Sequence, residues 1–158
     1  MMVGVACSFH QLEIRIMNAP DILTMNPALF ALAGFAGWTI LLLLTVANLR
    51  MANFFTGKKA INAFSPSGDD LPGFGQRVTR AHLNCTETLP VFAALVAAAG
   101  LSGQFSIMEG TVMFVLYARI GQSLAHMIST ATLVVWVRAT FFFVQVLLMA
   151  WYAIQLVF

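Results

Sequence analysis

Four long uncharged stretches follow one another along the chain. Three of them contain no Asp, Glu, Lys or Arg: residues 22–49, 88–108 and 139–158. The fourth, residues 110–137, is interrupted only by Arg119 and His126. Because a helix that crosses the hydrocarbon core of a bilayer needs about 20 apolar residues, the pattern predicts four transmembrane helices. Their expected ranges are 27–49, 75–101, 107–130 and 133–157.

The composition is typical of a protein embedded in lipid. Hydrophobic residues make up 60% of the 158 residues and charged residues only 9%, whereas soluble domains carry about 25% charged residues. We therefore expect an all-α integral membrane four-helix bundle at 27–158, with a tail or short surface helix at 1–26, no soluble domain and no nucleic-acid partner. Cys7 and Cys85 lack metal-ligand spacing and are expected to be free thiols.

Basic residues are concentrated on one side of the predicted helices. The connection between the first two helices holds Arg50, Lys58 and Lys59, with Arg77 and Arg80 at its far edge. The connection after the second helix and the C-terminal end contain no Lys or Arg. Because cytoplasmic loops are enriched in these residues, we expect the first connection to be cytoplasmic and both termini to lie on the opposite side.

Polar residues line one face of the second predicted helix. Arg77, Arg80, Asn84 and Glu87 are spaced i, i+3, i+7 and i+10, which is a single helical stripe. At about 1.5 Å per residue, Arg80 lies about 8 Å, Asn84 about 13 Å and Glu87 about 18 Å from the cytoplasmic end. The stripe therefore lies in the inner half of the bilayer.

The third and fourth helices carry polar residues at matching depths. Arg119, Gln122 and His126 form an i, i+3, i+7 stripe, and they lie about 16, 12 and 6 Å from the cytoplasmic end. Arg138, on the fourth helix, lies about 8 Å deep. Polar groups from three helices are thus expected to converge.

The charge of this predicted cluster is unbalanced. Its arginines are Arg77, Arg80, Arg119 and Arg138. Its one carboxylate, Glu87, is expected to pair with Arg119 at its own depth. The remaining positive charges repel one another unless an anion lies among them, and the guanidinium fork matches carboxylates and phosphates. The residues therefore predict an intramembrane pocket, open to the cytoplasm, for a small anion with carboxylates.

Each residue also has a purely structural interpretation. Arg77 can anchor its helix at the headgroup level, and Arg119 can belong to a structural ion pair. Arg138 can extend its side chain to the cytoplasmic surface. Gln122 and His126 can hydrogen-bond neighbouring helices. Only the convergence of all of them favours a ligand pocket.

Two stretches of this sequence resemble one membrane protein family. RVTRAHLNCTETLP, from Arg77 to Pro90, resembles the second-helix signature of the MAPEG family, the membrane-associated proteins in eicosanoid and glutathione metabolism, which include microsomal glutathione transferases. YARIGQSLAH, on the third helix, is similar to the family's Ala-Arg with polar or aromatic residues three and seven positions later. The resemblance extends over nearly the whole chain after residue 25.

The resemblance implies a left-handed four-helix bundle that assembles as a homotrimer. Glutathione, the co-substrate, would lie between neighbouring subunits and open to the cytoplasm, and a lipophilic substrate would enter from the lipid. The implied glutathione-binding residues are Arg77, Arg80, Asn84, Glu87, Arg119, Gln122 and His126. Arg138 falls near the family's thiolate-activating arginine. A thiol with a pKa of about 8.5 is mostly protonated at neutral pH, and a guanidinium favours the nucleophilic thiolate.

Departures from the family pattern leave two functions open. Tyrosines common in active members are missing from the third helix, where Gln122, His126 and Thr130 stand, and Phe141–Phe143 follow Arg138. The first function is a glutathione-dependent transferase or peroxidase acting on lipophilic electrophiles. The second is a non-catalytic lipid-binding scaffold, or an accessory subunit of a larger membrane complex. A transporter is disfavoured because broken helices and internal repeats are not evident.

Overall fold

Four long helices account for most of the chain that the structure, a computed structural model, describes, residues 25–71 and 73–158. They are α1 (Pro27–Phe55), α2 (Phe74–Leu101), α3 (Val112–Ile128) and α4 (Thr132–Val157), with short 3-10 turns at Ile61–Ala63 and Phe105–Ile107. Regular structure in these residues is entirely helical, so the all-α prediction is confirmed. The predicted tail or surface helix lies outside the described residues except for Met25 and Asn26, and Cys7 lies outside them as well.

Three of the helices are long and apolar enough to cross a membrane. These are α1, α2 and α4, whose best windows have mean hydropathies of 2.2, 1.3 and 2.0. The remaining helix, α3, has 17 residues and a length of about 25 Å, and it is apolar but shorter. Because α1 and α4 also expose many large hydrophobic side chains, the chain is a membrane protein.

The helix ends follow from local sequence. Pro27 stands in the first turn of α1, and the Asn26 side chain accepts a hydrogen bond from the Ala28 backbone N–H at 2.9 Å. After residue 49 no proline or glycine follows until Gly57, which adopts a left-handed φ of 67°. For this reason α1 continues to Phe55, beyond its predicted end at 49.

The third helix begins later than predicted. Residues 105–107 form a separate 3-10 turn, and Gly110 takes a left-handed φ of 78°. A glycine accepts this conformation without strain, so the chain turns there and α3 starts at Val112 instead of residue 107. Ser129 ends the helix and caps the three-residue connection to α4 by accepting from the Ala131 N–H at 3.1 Å.

The helices α2 and α3 form the centre of the bundle. They pack against each other, and α1 and α4 each pack against both. Close approaches occur at two glycines: a Cβ added to Gly34 would lie 2.8 Å from the Leu116 side chain, and one added to Gly121 would lie 2.9 Å from the Phe141 ring. Small residues let membrane helices pack closely, so Gly121 sets the distance between α3 and α4.

The connection between α1 and α2 is held by two carboxylates. Asp70 accepts from the Lys59 ammonium at 2.5 Å and from the Ser65 N–H at 3.1 Å. Asp69 accepts from the side chains of Ser67, Arg80 and Gln76. The Lys59 hydrogen bond lowers the pKa of Asp70 below its ordinary value of 3.8, and the hydrogen bonds from Ser67, Arg80 and Gln76 lower the pKa of Asp69 in the same way.

Candidate functional site

The two arginines near the start of α2 are both engaged by protein groups. Arg77 donates from Nε to the backbone carbonyl of Met127 at 2.8 Å, which ties the start of α2 to the end of α3. Arg80 donates from Nη2 to Asp69 at 3.1 Å. Both side chains of that ion pair are more than half exposed, so the pair is weak and a competing anion can displace it.

Asn84 and Glu87 lie deeper on the same stripe. Asn84 is half-buried, and its backbone carbonyl accepts from Arg119. Glu87 is exposed on the surface of the single chain. It lies 13 residues after Phe74, the first residue of α2, which is about 20 Å along the helix axis. A carboxylate in that position would face lipid unless another molecule covers it.

Arg119 points into the core of the bundle and away from the other arginines. Its side chain is fully buried, donates to Thr88 Oγ1 at 2.5 Å and to the Asn84 carbonyl at 3.3 Å, and lies 5.1 Å from the centroid of the Phe35 ring. The predicted ion pair with Glu87 does not form in the described part of the chain, where Lys59–Asp70 and Arg80–Asp69 are the salt bridges. A hydroxyl, a carbonyl and an aromatic face, instead of a carboxylate, accommodate this guanidinium.

The two remaining polar residues of α3 lie toward α4. Gln122 is buried, and its Oε1 accepts from Gln145 Nε2 at 3.1 Å. His126 is also buried, and the positive charges of Arg138, Arg80 and Arg77 all act on its ring. The structure thus brings three of the four predicted arginines around one end of α3 and excludes Arg119.

A groove between α2, α3 and α4 carries the most promising chemistry. It has a volume of 290 Å³ and is lined by Asn84, Gln122, Val135, Arg138, Ala139 and Phe142. Arg138 is half-buried there. Among the described residues it forms no hydrogen bond or ion pair, while the like charge of Arg80 acts on it. An unpaired guanidinium next to two amide side chains is a site for an anion with further hydrogen-bonding groups.

A second groove continues between α2 and α4 with apolar walls. Its volume is 330 Å³, and its lining residues are Thr88, Val91, Leu95, Val146, Met149, Ala150 and Ala153. Thr88 follows Asn84 by one helical turn, and Val146 follows Phe142 by one turn. The two helices therefore present a polar groove and an apolar groove in succession along the bundle axis.

Sequence reasoning missed Gln145, which is completely buried. Its Nε2 donates to Gln122 Oε1 at 3.1 Å and to the Phe141 carbonyl at 2.8 Å, and its Oε1 has no partner. Because Gln145 occupies the oxygen of Gln122, the Gln122 amide NH₂ is left for the groove. The available signal was spacing: Gln145 is the first polar residue after Thr140 in an apolar run and follows Arg138 by seven positions, on the same helical face.

Among the described residues no group of His, Cys, Asp or Glu is arranged to hold a metal ion. Cys85 is a buried free thiol whose sulfur lies 3.6 Å from Ser123 Oγ. It is packed inside the bundle and does not line either groove.

Comparison with curated proteins and with solved structures gave no match. The sequence profile of the MAPEG family, by contrast, matches residues 28–158. That range contains all of α1 after Pro27, the other three long helices, both grooves and every residue of the predicted cluster. The chain therefore belongs to the MAPEG family.

Proposed function

We propose that this protein is a glutathione-dependent membrane transferase or peroxidase that acts on lipophilic electrophiles, with Arg138 stabilising the thiolate. The observation that carries the proposal is the free Arg138 guanidinium in a groove with Asn84 and Gln122. Glutathione is an anion with two carboxylates, an amine and a thiol, so it needs cationic and amide partners together. Membership of the family supports the same ligand.

Neighbouring copies complete the site in this proposal. The groove of one chain measures 290 Å³, at the lower limit of about 300 Å³ for ligand pockets. Glu87 is exposed at mid-helix on the α2 surface, where contact with lipid would cost about 3 kcal/mol. A homotrimer in which another subunit covers this face removes that cost, and it gives Glu87 access to the glutathione amine.

The chemistry requires no nucleophile from the protein. The Arg138 charge stabilises the glutathione thiolate relative to the thiol, whose proton passes to solvent. The sulfur then bonds to an electrophilic carbon of a substrate held in the apolar groove beside Met149, and the leaving group or the resulting carbanion takes up a proton. With a lipid hydroperoxide, a second glutathione completes the reduction and the products are an alcohol, water and the disulfide.

In this proposal the residues keep the roles expected for them, with one change. Arg80 exchanges Asp69 for a glutathione carboxylate, while Arg77 contributes positive charge and His126 contributes hydrogen bonding at the mouth of the groove. Arg119 supports the site from behind by holding the Asn84 carbonyl and Thr88. We place the connection between α1 and α2 in the cytoplasm, because it carries Arg50, Lys58 and Lys59.

The test is turnover with glutathione and a lipophilic electrophile in detergent-purified protein. We expect conjugation by the parent protein, loss of turnover and weaker glutathione binding in Arg138→Ala, and weaker binding in Glu87→Ala. Glu109→Gln, an exposed carboxylate outside the grooves, serves as the control and should match the parent. A parent protein that neither binds glutathione nor turns over would contradict the proposal.

The alternative is a non-catalytic lipid-binding scaffold or accessory subunit. Phe142 lines the groove beside Arg138, and a phenyl ring cannot donate a hydrogen bond to a thiolate. The apolar groove would then hold a lipid with no reaction. If the purified protein holds lipid in the apolar groove and does not bind glutathione, the non-catalytic function would be favoured over the enzyme.

A further inference from the structure

We propose that the cytoplasmic end of α1 contains a binding site for one anionic phospholipid, with Arg50 as the phosphate ligand. The site is a groove of 330 Å³ lined by Ala47, Arg50, Met51, Phe54 and Phe64. It lies on a different helix from Arg138 and shares no residue with the two grooves between α2 and α4. The proposal is therefore independent of glutathione chemistry.

The depth of Arg50 matches the headgroup layer. Arg50 lies 23 residues after Pro27, the first residue of α1, which is about 35 Å along the axis. The hydrocarbon core is about 30 Å thick. A helix that enters the core at Pro27 therefore brings Arg50 just beyond the hydrocarbon, where lipid phosphates lie.

The Arg50 side chain is held in place but its charge is not compensated. Nη2 donates to the Ser65 carbonyl at 2.9 Å, and the guanidinium carbon lies 5.9 Å from the centroid of Phe64. Nε has no hydrogen-bond partner. Asp69 and Asp70, in the connection between α1 and α2, already have partners, because Asp70 pairs with Lys59 and Asp69 pairs with Arg80. In the described part of the chain no acidic group pairs with Arg50.

The surroundings favour an amphiphile over a free ion. Ala47, Met51 and Phe54 are exposed and follow one another at helical spacing on the face of α1 that carries Arg50. Toward the hydrocarbon this face continues from Ala47 to the exposed Leu43, seven residues before Arg50, and an acyl chain can lie there, while Met51 and Phe54 flank the guanidinium on the loop side. Lys58 is exposed in the adjoining cavity and adds a second uncompensated positive charge. A phospholipid fits this arrangement, because its phosphate can bind the cationic side chains and its acyl chains can lie on the apolar surface.

The direct test is lipid binding by native mass spectrometry of the purified protein, with phosphatidylglycerol and phosphatidylcholine as probes. We expect the parent to prefer the anionic lipid, and Arg50→Gln to lose about fivefold of that preference, the effect of one basic residue near a membrane surface. Arg50→Lys should keep part of it, because the charge remains while the fork is lost. This variant also keeps the test decisive if Arg50→Gln does not fold.

The matched control is Glu109→Gln, an exposed carboxylate outside the grooves, which changes the net charge by one unit, as Arg50→Gln does. It should bind phosphatidylglycerol like the parent. Equal binding of both lipids by the parent, or an unchanged preference in both Arg50 variants, would overturn the proposal. The proposal would also be overturned if millimolar inorganic phosphate displaced phosphatidylglycerol as effectively as free lipid does, because the site would then bind a small anion and not a lipid.

Discussion

Arg138 lies beside amide and aromatic side chains, and no carboxylate among residues 25–71 and 73–158 forms an ion pair with it. In the proposed enzyme this leaves its charge for the glutathione sulfur. We expect Arg138→Gln to lower kcat by about 100-fold, as when a single donor to a developing anion is removed, and Arg138→Lys to lower it less.

The pH dependence gives a second readout of the same variant. The parent should reach its plateau below the free thiol pKa of about 8.5, whereas Arg138→Gln should continue to gain rate up to that pH. Stopped-flow measurement of the rate between pH 6 and 9 checks this, within the range where the loop carboxylates stay ionised. Parallel pH–rate profiles for the two proteins would show that Arg138 does not stabilise the thiolate.

Gln145 acts through Gln122 and does not itself line the groove. Replacing it with Leu frees Gln122 to rotate, and an interhelical hydrogen bond in a membrane is worth about 0.6 kcal/mol. We therefore expect Gln145→Leu to raise the KM for glutathione about threefold with kcat retained. Steady-state kinetics would show this, and an equal fall in kcat at unchanged KM would contradict a positioning role.

Sequence reasoning identified the three polar or charged residues that line the groove, but it misplaced Arg119. Spacing put Asn84, Gln122 and Arg138 at similar depths, and the structure brings them to one groove. Depth and helical face cannot reveal which neighbour a side chain contacts. Arg119 shares a stripe with Gln122, yet it turns toward Phe35 on α1, a partner that only the packing of three helices defines.

At the scale of elements, the connection between α1 and α2 depends on two carboxylates. Their folded pKa values lie below the ordinary 3.8, so their hydrogen bonds are fully present above about pH 4 and are lost as the pH falls through the lowered values. We expect loop amides to be protected from hydrogen exchange at pH 7 and to lose protection in Asp70→Asn. The measured exchange rates are corrected for intrinsic rates before comparison. Equal protection of the loop amides in the parent and in Asp70→Asn would contradict the role of Asp70.

The contact between Gly121 and Phe141 sets the spacing of α3 and α4. A valine at position 121 would meet a ring that already lies 2.9 Å from the position of a Cβ, and overpacking of this kind costs about 1–3 kcal/mol. We expect Gly121→Val to lower the Tm of the purified protein and to weaken glutathione binding together. Gly37→Val is the control, because a Cβ there meets nothing within 4 Å.

Helix number was predictable from sequence, but helix ends were less so. Stretches of sufficient length with little or no charge indicated four helices, and the described residues contain four long helices. The start of α3 was misplaced because apolar residues at 105–108 look helical, whereas Gly110 turns the chain. Hydropathy carries no information about backbone dihedral angles, so such a turn is invisible to it.

At the scale of the whole molecule, Glu87 is exposed on α2 in the described part of the chain, and in the proposed assembly a second copy covers it. We expect the protein to run as a homotrimer in native mass spectrometry, and glutathione binding to fall in proportion as the trimer is diluted into monomers. Glutathione binding that is equal in isolated monomers would contradict a shared site. The homotrimer was expected only from the family resemblance, because hydropathy and spacing within one chain do not reveal residues that would belong to other copies.

The central claim is that the groove around Arg138 binds glutathione. The measurement that tests it most directly is equilibrium dialysis of labelled glutathione against the parent protein, Arg138→Gln and Arg50→Gln, each in the same neutral detergent. We predict saturable binding by the parent, unchanged binding by Arg50→Gln, whose site is elsewhere, and clearly weaker binding by Arg138→Gln. Identical binding by all three proteins, or no binding by the parent, would contradict the account.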